Sequence, residues 1–475
     1  MSAHRLKTKA LCRRWHRCSE LGEETISGPT SDIVVTNGRL VIGPQVIQGG
    51  VAIKDGVIAA IGRESSLPDS KEVIDVAGAY ILPGVIDPHV HFREPGLTNR
   101  EDFASGSTAA TIGGVTTVFE MPNTVPPTAG ADAVMAKREL VKPKSLVDFG
   151  LFGMVGQTNV DRIEEMAEAG VIGFKFYLHQ TIEGMPPCDD GALFEAFQRI
   201  AAVGGVAAVH AENPEIIGRC SAHLRAHGHS DVTANIAARP TVSESEMVAR
   251  CIAYARAAGN RLHICHVTSA ESVDEIASAK RRHLPVTAET GPQWLWFTEV
   301  DAAEKGMVLM FSPPFRSEGD RKALWDALQD GRLDMVATDH APRHREEKLV
   351  ASVWDAKSGF IGVETNVPLM MGAVDQGRLS IQTYARISSE NAARAFGLWP
   401  RKGSLLPGSD GDLTIVGVGA AHAIEAERLH SKAKVTPFDG VSTTGSVKYT
   451  ILGGQVMMRD QNVTGSPRGR DVVRA

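Results

Sequence analysis

From residue 32 the chain reads as short apolar segments that alternate with polar positions and break at glycine-containing turns. The segments DIVVTNGRLVI (32–42), GGVAIKDGVIAAIG (49–62) and VIDVAGAYILPG (73–84) each fit a strand or a strand pair. Asn37-Gly38 and Asp55-Gly56 sit between apolar runs, the arrangement expected of tight hairpins. So few residues cannot close a core. Matching material lies far along the chain, in GSLLPGSDGDLTIVG (403–417) and SVKYTILGGQVMM (446–458). The pattern predicts one small β-sandwich domain assembled from residues 32–82 and 401–460, with the intervening chain inserted into it.

Residues 83–400 alternate between strand and helix patterns. Apolar strands are expected at 114–121, 147–155, 171–178, 205–212, 261–267, 284–290 and 335–342. Helical periods such as VDRIEEMAEAG (160–170) and DGALFEAFQRIAAVGG (190–205) separate them. Alternation of this kind predicts a parallel sheet covered by helices, and its length fits a (β/α)8 barrel better than an open doubly wound sheet. No GxGxxG follows a strand, and there is no Walker motif or internal repeat.

Composition narrows the partners. With 43% hydrophobic and 22% charged residues and a formal net charge of −6, the 475-residue chain has no basic excess for nucleic acid or an anionic membrane surface. No apolar run approaches the roughly 20 residues of a membrane span. Six scattered cysteines with no CxxC pair read as reduced thiols, which places the protein in the cytoplasm. Six Lys/Arg precede the first acid, Glu20, and no hydrophobic stretch follows them, so residues 1–31 are expected to be a disordered basic extension rather than a secretory signal. Residues 461–475 are expected to be a flexible tail.

The chemistry gathers at strand ends. Around PGVIDPHVHFREPG (83–96), an apolar run delivers His89 and His91, two residues apart and hence on one face of an extended strand, where both imidazoles can meet one metal ion. Lys175 closes the strand VIGFKFYL, His210 ends GVAAVHAE, His266 ends RLHICHV, and Asp339 ends MVATDHAP. Alternation puts His266 on the face of Leu262 and Ile264, with His263 pointing the other way. Barrel active sites form at such ends. Two metal ions need a bridging anion, and a lysine carbamate can bridge cations about 3.5–4 Å apart. The set then divides: His89, His91 and Asp339 for one ion, His210 and His266 for the other, with carboxylated Lys175 between them. Nitrogen and oxygen ligands suit two divalent cations, zinc first. Water shared by such ions ionises near neutral pH, and Asp339 can take its proton and pass it to a leaving nitrogen.

These motifs, with GGVTTVFEMPNT, GFKFY, HAEN, HICHVTSA and TDHAP, resemble the cyclic amidohydrolases: dihydroorotase, allantoinase and the hydantoinase/dihydropyrimidinase group. The resemblance runs from about residue 32 to 458. It implies a barrel with a β-sandwich, a carboxylated lysine, a binuclear site, a small cyclic amide as substrate and a homodimer or homotetramer. Arg93 and Asn123 stand where dihydroorotases hold the ring carboxylate, and an arginine grips a carboxylate bidentately. Arg343 replaces the histidine usual four residues after the catalytic aspartate and can still pair with that group. SPPFR (312–316) and ETGPQWLWF (289–297) lean toward allantoinases and hydantoinases, while Gln180 replaces the tyrosine that D-hydantoinases place five residues after the lysine. The expectation is a dihydroorotase-like enzyme; allantoinase or hydantoinase-type ring opening is the alternative. An inactive scaffold would have lost metal ligands, and none is lost here.

Overall fold

The computed structural model describes residues 31–474. The expected basic extension lies outside the described residues, apart from Ser31.

Eight parallel strands form the central sheet, numbered here β1 (Val85–Val90), β2 (Val115–Glu120), β3 (Asp148–Val155), β4 (Gly173–Tyr177), β5 (Val206–His210), β6 (Arg261–Ile264), β7 (Val286–Thr290) and β8 (Met335–Val336). They neighbour one another in sequence order. A parallel bridge between Val90 and His340, with the His91 N–H donating to the His340 carbonyl at 2.7 Å, brings the two edges together. The result is the (β/α)8 barrel that the sequence pattern predicts.

The strands are buried on both faces; every residue of β2 and β3 is buried, and the polar ones among them are Thr116, Thr117, Glu120 and Asp148. Outward side chains such as Leu262 and Ile264 pack under the helical layer with Val273 and Ile276. Helix 190–202 shows the logic of that layer. Asp189 caps its first turn by accepting from the Ala192 N–H, and Leu193, Ala196, Phe197 and Ile200 form its buried stripe. Inward side chains, among them Ile86, Phe119, Phe152, Ala208 and Met335, fill the barrel with Phe396. A packed floor leaves only the C-terminal mouth for polar chemistry.

The second sheet has nine strands and draws on both chain ends: five lie within 31–83 and four within 413–463. Leu413 pairs antiparallel with Pro83, which joins the two halves. Asp55-Gly56 forms the two-residue turn expected, with φ of 52° and 80°. Asn37-Gly38 does not. The strand Ser31–Ile42 runs straight through it, with a register shift between Val35 and Gly38. Asn37 takes φ +54° and its side-chain amide donates to Asp75, while a Cβ at Gly38 would stand 2.3 Å from Ile81 Cδ1. The dipeptide thus makes a bulge, and the chain reverses instead after Ile42.

The terminal segment is also unlike its expectation as a flexible tail. Asn462–Val463 adds a short strand, Asp471 bridges Phe149 of β3, and Val472 is buried beneath the barrel. Arg470 pairs with Asp148 and Asp410, and Arg138 with Asp471. Close by, the buried Lys402 ammonium meets Asp148, Asp410 and Asp412 at 2.8, 3.1 and 2.5 Å, so that carboxylate cluster already holds its cation.

Candidate active site

β1 ends by turning two imidazoles toward one point. His89 donates from Nδ1 to Glu289 Oε1 at 2.5 Å, and His91 from Nδ1 to Asn123 Oδ1 at 2.6 Å. Each ring is thereby oriented, and each Nε2 faces Asp339 Oδ1, at 3.4 Å from His89 and 3.1 Å from His91. An acceptor behind Nδ1 and a shared target before Nε2 is the arrangement that presents histidine to a metal ion.

The second group lies beside the first. The His266 ring is 5.4 Å from that of His89 and 4.4 Å from that of His210. His210 Nε2 contacts Glu212 Oε2 at 2.6 Å, and Arg239 Nη1 donates to the same carboxylate. Lys175 is fully buried, donates to Cys265 Sγ at 2.9 Å, and has no carboxylate within 4 Å among the described residues.

Three of the residues that line this site adopt left-handed backbone conformations: Arg93 at φ +64°, His266 at +38° and Asp339 at +46°. Such strain persists only where surrounding structure imposes it. For His266 it corrects the alternation argument. His263 faces the barrel interior, bonded to Thr287 and Glu289 and in ring contact with Phe396, while Leu262 and Ile264 face the helices. β6 ends at Ile264, and the positive φ at His266 swings that ring inward where strand geometry would have turned it out.

The donor set fits divalent metal ions. Burial holds His91 down to about 3 and His210 and His266 well below the ordinary imidazole range, so all three are neutral and offer lone pairs. Burial and Lys175 act the same way on His89, but the Asp339 and Glu289 carboxylates flanking it raise it to about 10, a place that calls for positive charge. Burial also works against the Asp339 carboxylate, yet His89 and His91 keep it below its usual value. His89, His91 and Asp339 can hold one ion, and His266 Nδ1 is a buried nitrogen with no hydrogen-bond partner.

Above this cluster lies a cavity of about 420 Å³ at the barrel mouth. All nine residues singled out from the sequence line it: His89, His91, Arg93, Asn123, Lys175, His210, His266, Asp339 and Arg343. Asn123 accepts from His91 Nδ1 through its side-chain oxygen and lines the same cavity. Arg93 is buried with its Nε unpartnered; Gly96, at φ +86° and pressed against the Val125 carbonyl, lets the Arg93–Leu97 turn close. Arg343 donates from Nε to the Ser358 carbonyl. Sequence reasoning missed Glu289, Cys265, Tyr177 and His179. For Glu289 the signal was present: Thr287 and Glu289 alternate inward along β7 to meet His263.

The sequence matches the Amidohydrolase family over residues 80–457. The chain belongs to that family. Among its relatives, an L-hydantoinase of Paenarthrobacter aurescens is 37% identical over 431 residues, covering 90% of this chain and 94% of that protein. An allantoinase of Rubrobacter xylanophilus is 36% identical, covering 93% and 97%. A dihydroorotase of Methanosarcina mazei is 34% identical, covering 92% and 97%. The solved L-hydantoinase (dihydropyrimidinase) from Arthrobacter aurescens superposes with a TM-score of 0.91 at 36% identity, covering 94% of this chain and all of that one. Family membership makes this amidohydrolase a hydrolase. No helix among the described residues is long and apolar enough to cross a membrane.

Proposed function

We propose that this amidohydrolase opens a five-membered cyclic ureide of the hydantoin or allantoin type by hydrolysing a ring C–N bond. The observation that carries the reading is the convergence of His89 and His91 Nε2 on Asp339 Oδ1 beside buried Lys175, at the floor of a polar cavity. His89, His91 and Asp339 would hold one divalent cation, and His210 and His266 a second. Bound there, such cations, zinc first among them, would supply Lewis acidity toward a ring carbonyl and toward water. Asp339 accepts a proton from the attacking water as the O–C bond forms, and delivers it to the ring nitrogen as the C–N bond breaks. Lys175 supports a bridging role. Its buried amine lacks a carboxylate partner, and reaction with carbon dioxide would convert it to the anion that two cations require.

The hydantoinase and allantoinase relatives favour this ring class over the dihydroorotase-like activity expected from the motifs. A dihydroorotate-type ring is the second reading, because Arg93 presents a buried guanidinium to the cavity. Purified protein loaded with Zn²⁺ or Mn²⁺ is assayed on hydantoins, allantoin, dihydrouracil and dihydroorotate. The proposal expects the largest kcat/KM on a hydantoin or allantoin; a tenfold preference for dihydroorotate, or no ring opening at all, overturns it.

A further inference from the structure

Asp339, at φ +46°, bears the oxygen on which His89 and His91 converge. A left-handed aspartate persists only where its surroundings impose that conformation. The groups that impose it lie one residue to either side. Thr338 is buried and every polar atom it has is engaged. Its N–H donates to Asp87 Oδ1 at 3.1 Å, and its carbonyl accepts from Gln293 Nε2 at 3.1 Å. Its hydroxyl donates to Asp87 Oδ2 at 2.5 Å and accepts from the His340 N–H at 3.2 Å. His340 is pinned in turn, its Nδ1 accepting from the Gly362 and Val363 N–H groups at 3.1 and 3.2 Å.

Asp87 is the other half of this clamp. It lies on β1, fully buried, and its Oδ1 also accepts from the His89 N–H at 3.3 Å. One carboxylate therefore grips the backbone that carries His89 and the backbone that carries Asp339. No lysine or arginine nitrogen lies within 4 Å of it among the described residues. Closing the barrel does not require such a group. The Val90–His340 bridge and the His91 N–H bond to the His340 carbonyl already join those edges. A buried carboxylate without a cation costs stability, and the orientation it imposes accounts for its presence.

Resting on the reading of Asp339 as metal ligand and proton carrier of a cyclic-amide site, we propose that Asp87 and Thr338 are positioning residues. Their hydrogen bonds fix the left-handed turn at Asp339 and aim its carboxylate between the Nε2 atoms of His89 and His91. A misplacement of about 1 Å at a reacting group can cost about 10²-fold in rate.

The test uses the metal-loaded full chain and three variants. Thr338→Val keeps the shape and deletes the hydroxyl, Thr338→Ser keeps the hydroxyl, and Asp87→Asn replaces the acceptor facing that hydroxyl with a donor. On the ring that wild type opens fastest, Thr338→Val and Asp87→Asn should lose about tenfold or more in kcat, with KM changed by less than about threefold. Thr338→Ser should stay within about threefold of wild type in kcat. A loss that tracks metal content or thermal midpoint, a loss shared equally by Thr338→Ser, or no loss at all overturns the proposal.

A second readout needs no turnover and so separates this inference from the ring assignment. In the Co²⁺-loaded proteins at equal stoichiometry, the visible d–d absorption should change in Thr338→Val and Asp87→Asn and match wild type in Thr338→Ser. Identical spectra in all four, or no Co²⁺ binding by wild type, overturn the clamp. Altered spectra from a chain that opens no ring support the clamp and refute the cyclic-amide reading.

Discussion

Asn123 Oδ1 stands 2.6 Å from His91 Nδ1 and thereby decides which nitrogen of His91 faces the site. With Nδ1–H engaged, the Nε2 lone pair is left to point at Asp339, 3.1 Å away. Partners behind a ligating histidine typically contribute about 10- to 100-fold in metal affinity or activity. Asn123→Ala is therefore expected to weaken metal retention by that factor while leaving the fold intact. Metal content after graded dialysis against a chelator, read beside the thermal midpoint, measures it. Unchanged retention would leave Asn123 with only the substrate-binding role that the motif suggested.

Lys175 tests the bridge. On the binuclear reading proposed above, Lys175→Ala should lose most of its metal and activity, because the two cations would then lack the anion between them. Short-chain carboxylates in the buffer are expected to restore part of the turnover by occupying the vacated space. A Lys175→Ala protein with two metal ions per chain and near-normal kcat would remove the lysine from the mechanism.

How far the sequence foretold this site depends on what geometry each residue needed. The barrel was legible because short apolar-rich strands alternate with helical periods along residues 83–400. His89, Lys175 and His210 were legible because strand periodicity alone places them. His266 and Asp339 reach the cluster through positive φ, which no alternation rule encodes; their places at strand ends marked them as candidates, but not the way their side chains turn. Asn37-Gly38 misled for the opposite reason: the dipeptide permits a tight turn, yet pairing along Ser31–Ile42 absorbed it as a bulge. The terminal segment looked featureless, but its role depends on Val472 and Arg470 finding partners more than 300 residues away. Long-range pairings of that kind leave no local signature.

Asp339 separates proton transfer from binding. Asp339→Asn keeps the size of the side chain and one oxygen for a cation but cannot accept a proton. The expected result is a fall in kcat of about 10²–10⁴ with a much smaller change in KM, since general acid–base catalysis acts in the transition state. Rates measured together with metal content decide whether the loss is chemical or merely reflects an emptied site. Turnover within tenfold of wild type at full metal content would assign the proton to another group.

Lys348 makes a prediction about stability rather than turnover. Its amine is fully buried, donates to the Met310 carbonyl at 2.6 Å, and is pushed by desolvation, with help from Arg343, down to about 7 from the ordinary 10.5. Between those two values the native amine is neutral while the unfolded one is protonated, so unfolding takes up a proton and stability rises with pH. Below about 7 both states are charged and the full penalty of the buried cation applies; above about 10.5 neither is charged and the penalty vanishes. Lys348→Met should therefore stabilise the protein by on the order of a few kcal/mol near pH 7, less at pH 9, and almost nothing near pH 10.5. Denaturant unfolding of both proteins across that range measures the difference. A gap that stays constant with pH would mean that the lysine contributes through packing and its one hydrogen bond, with no share in the titration.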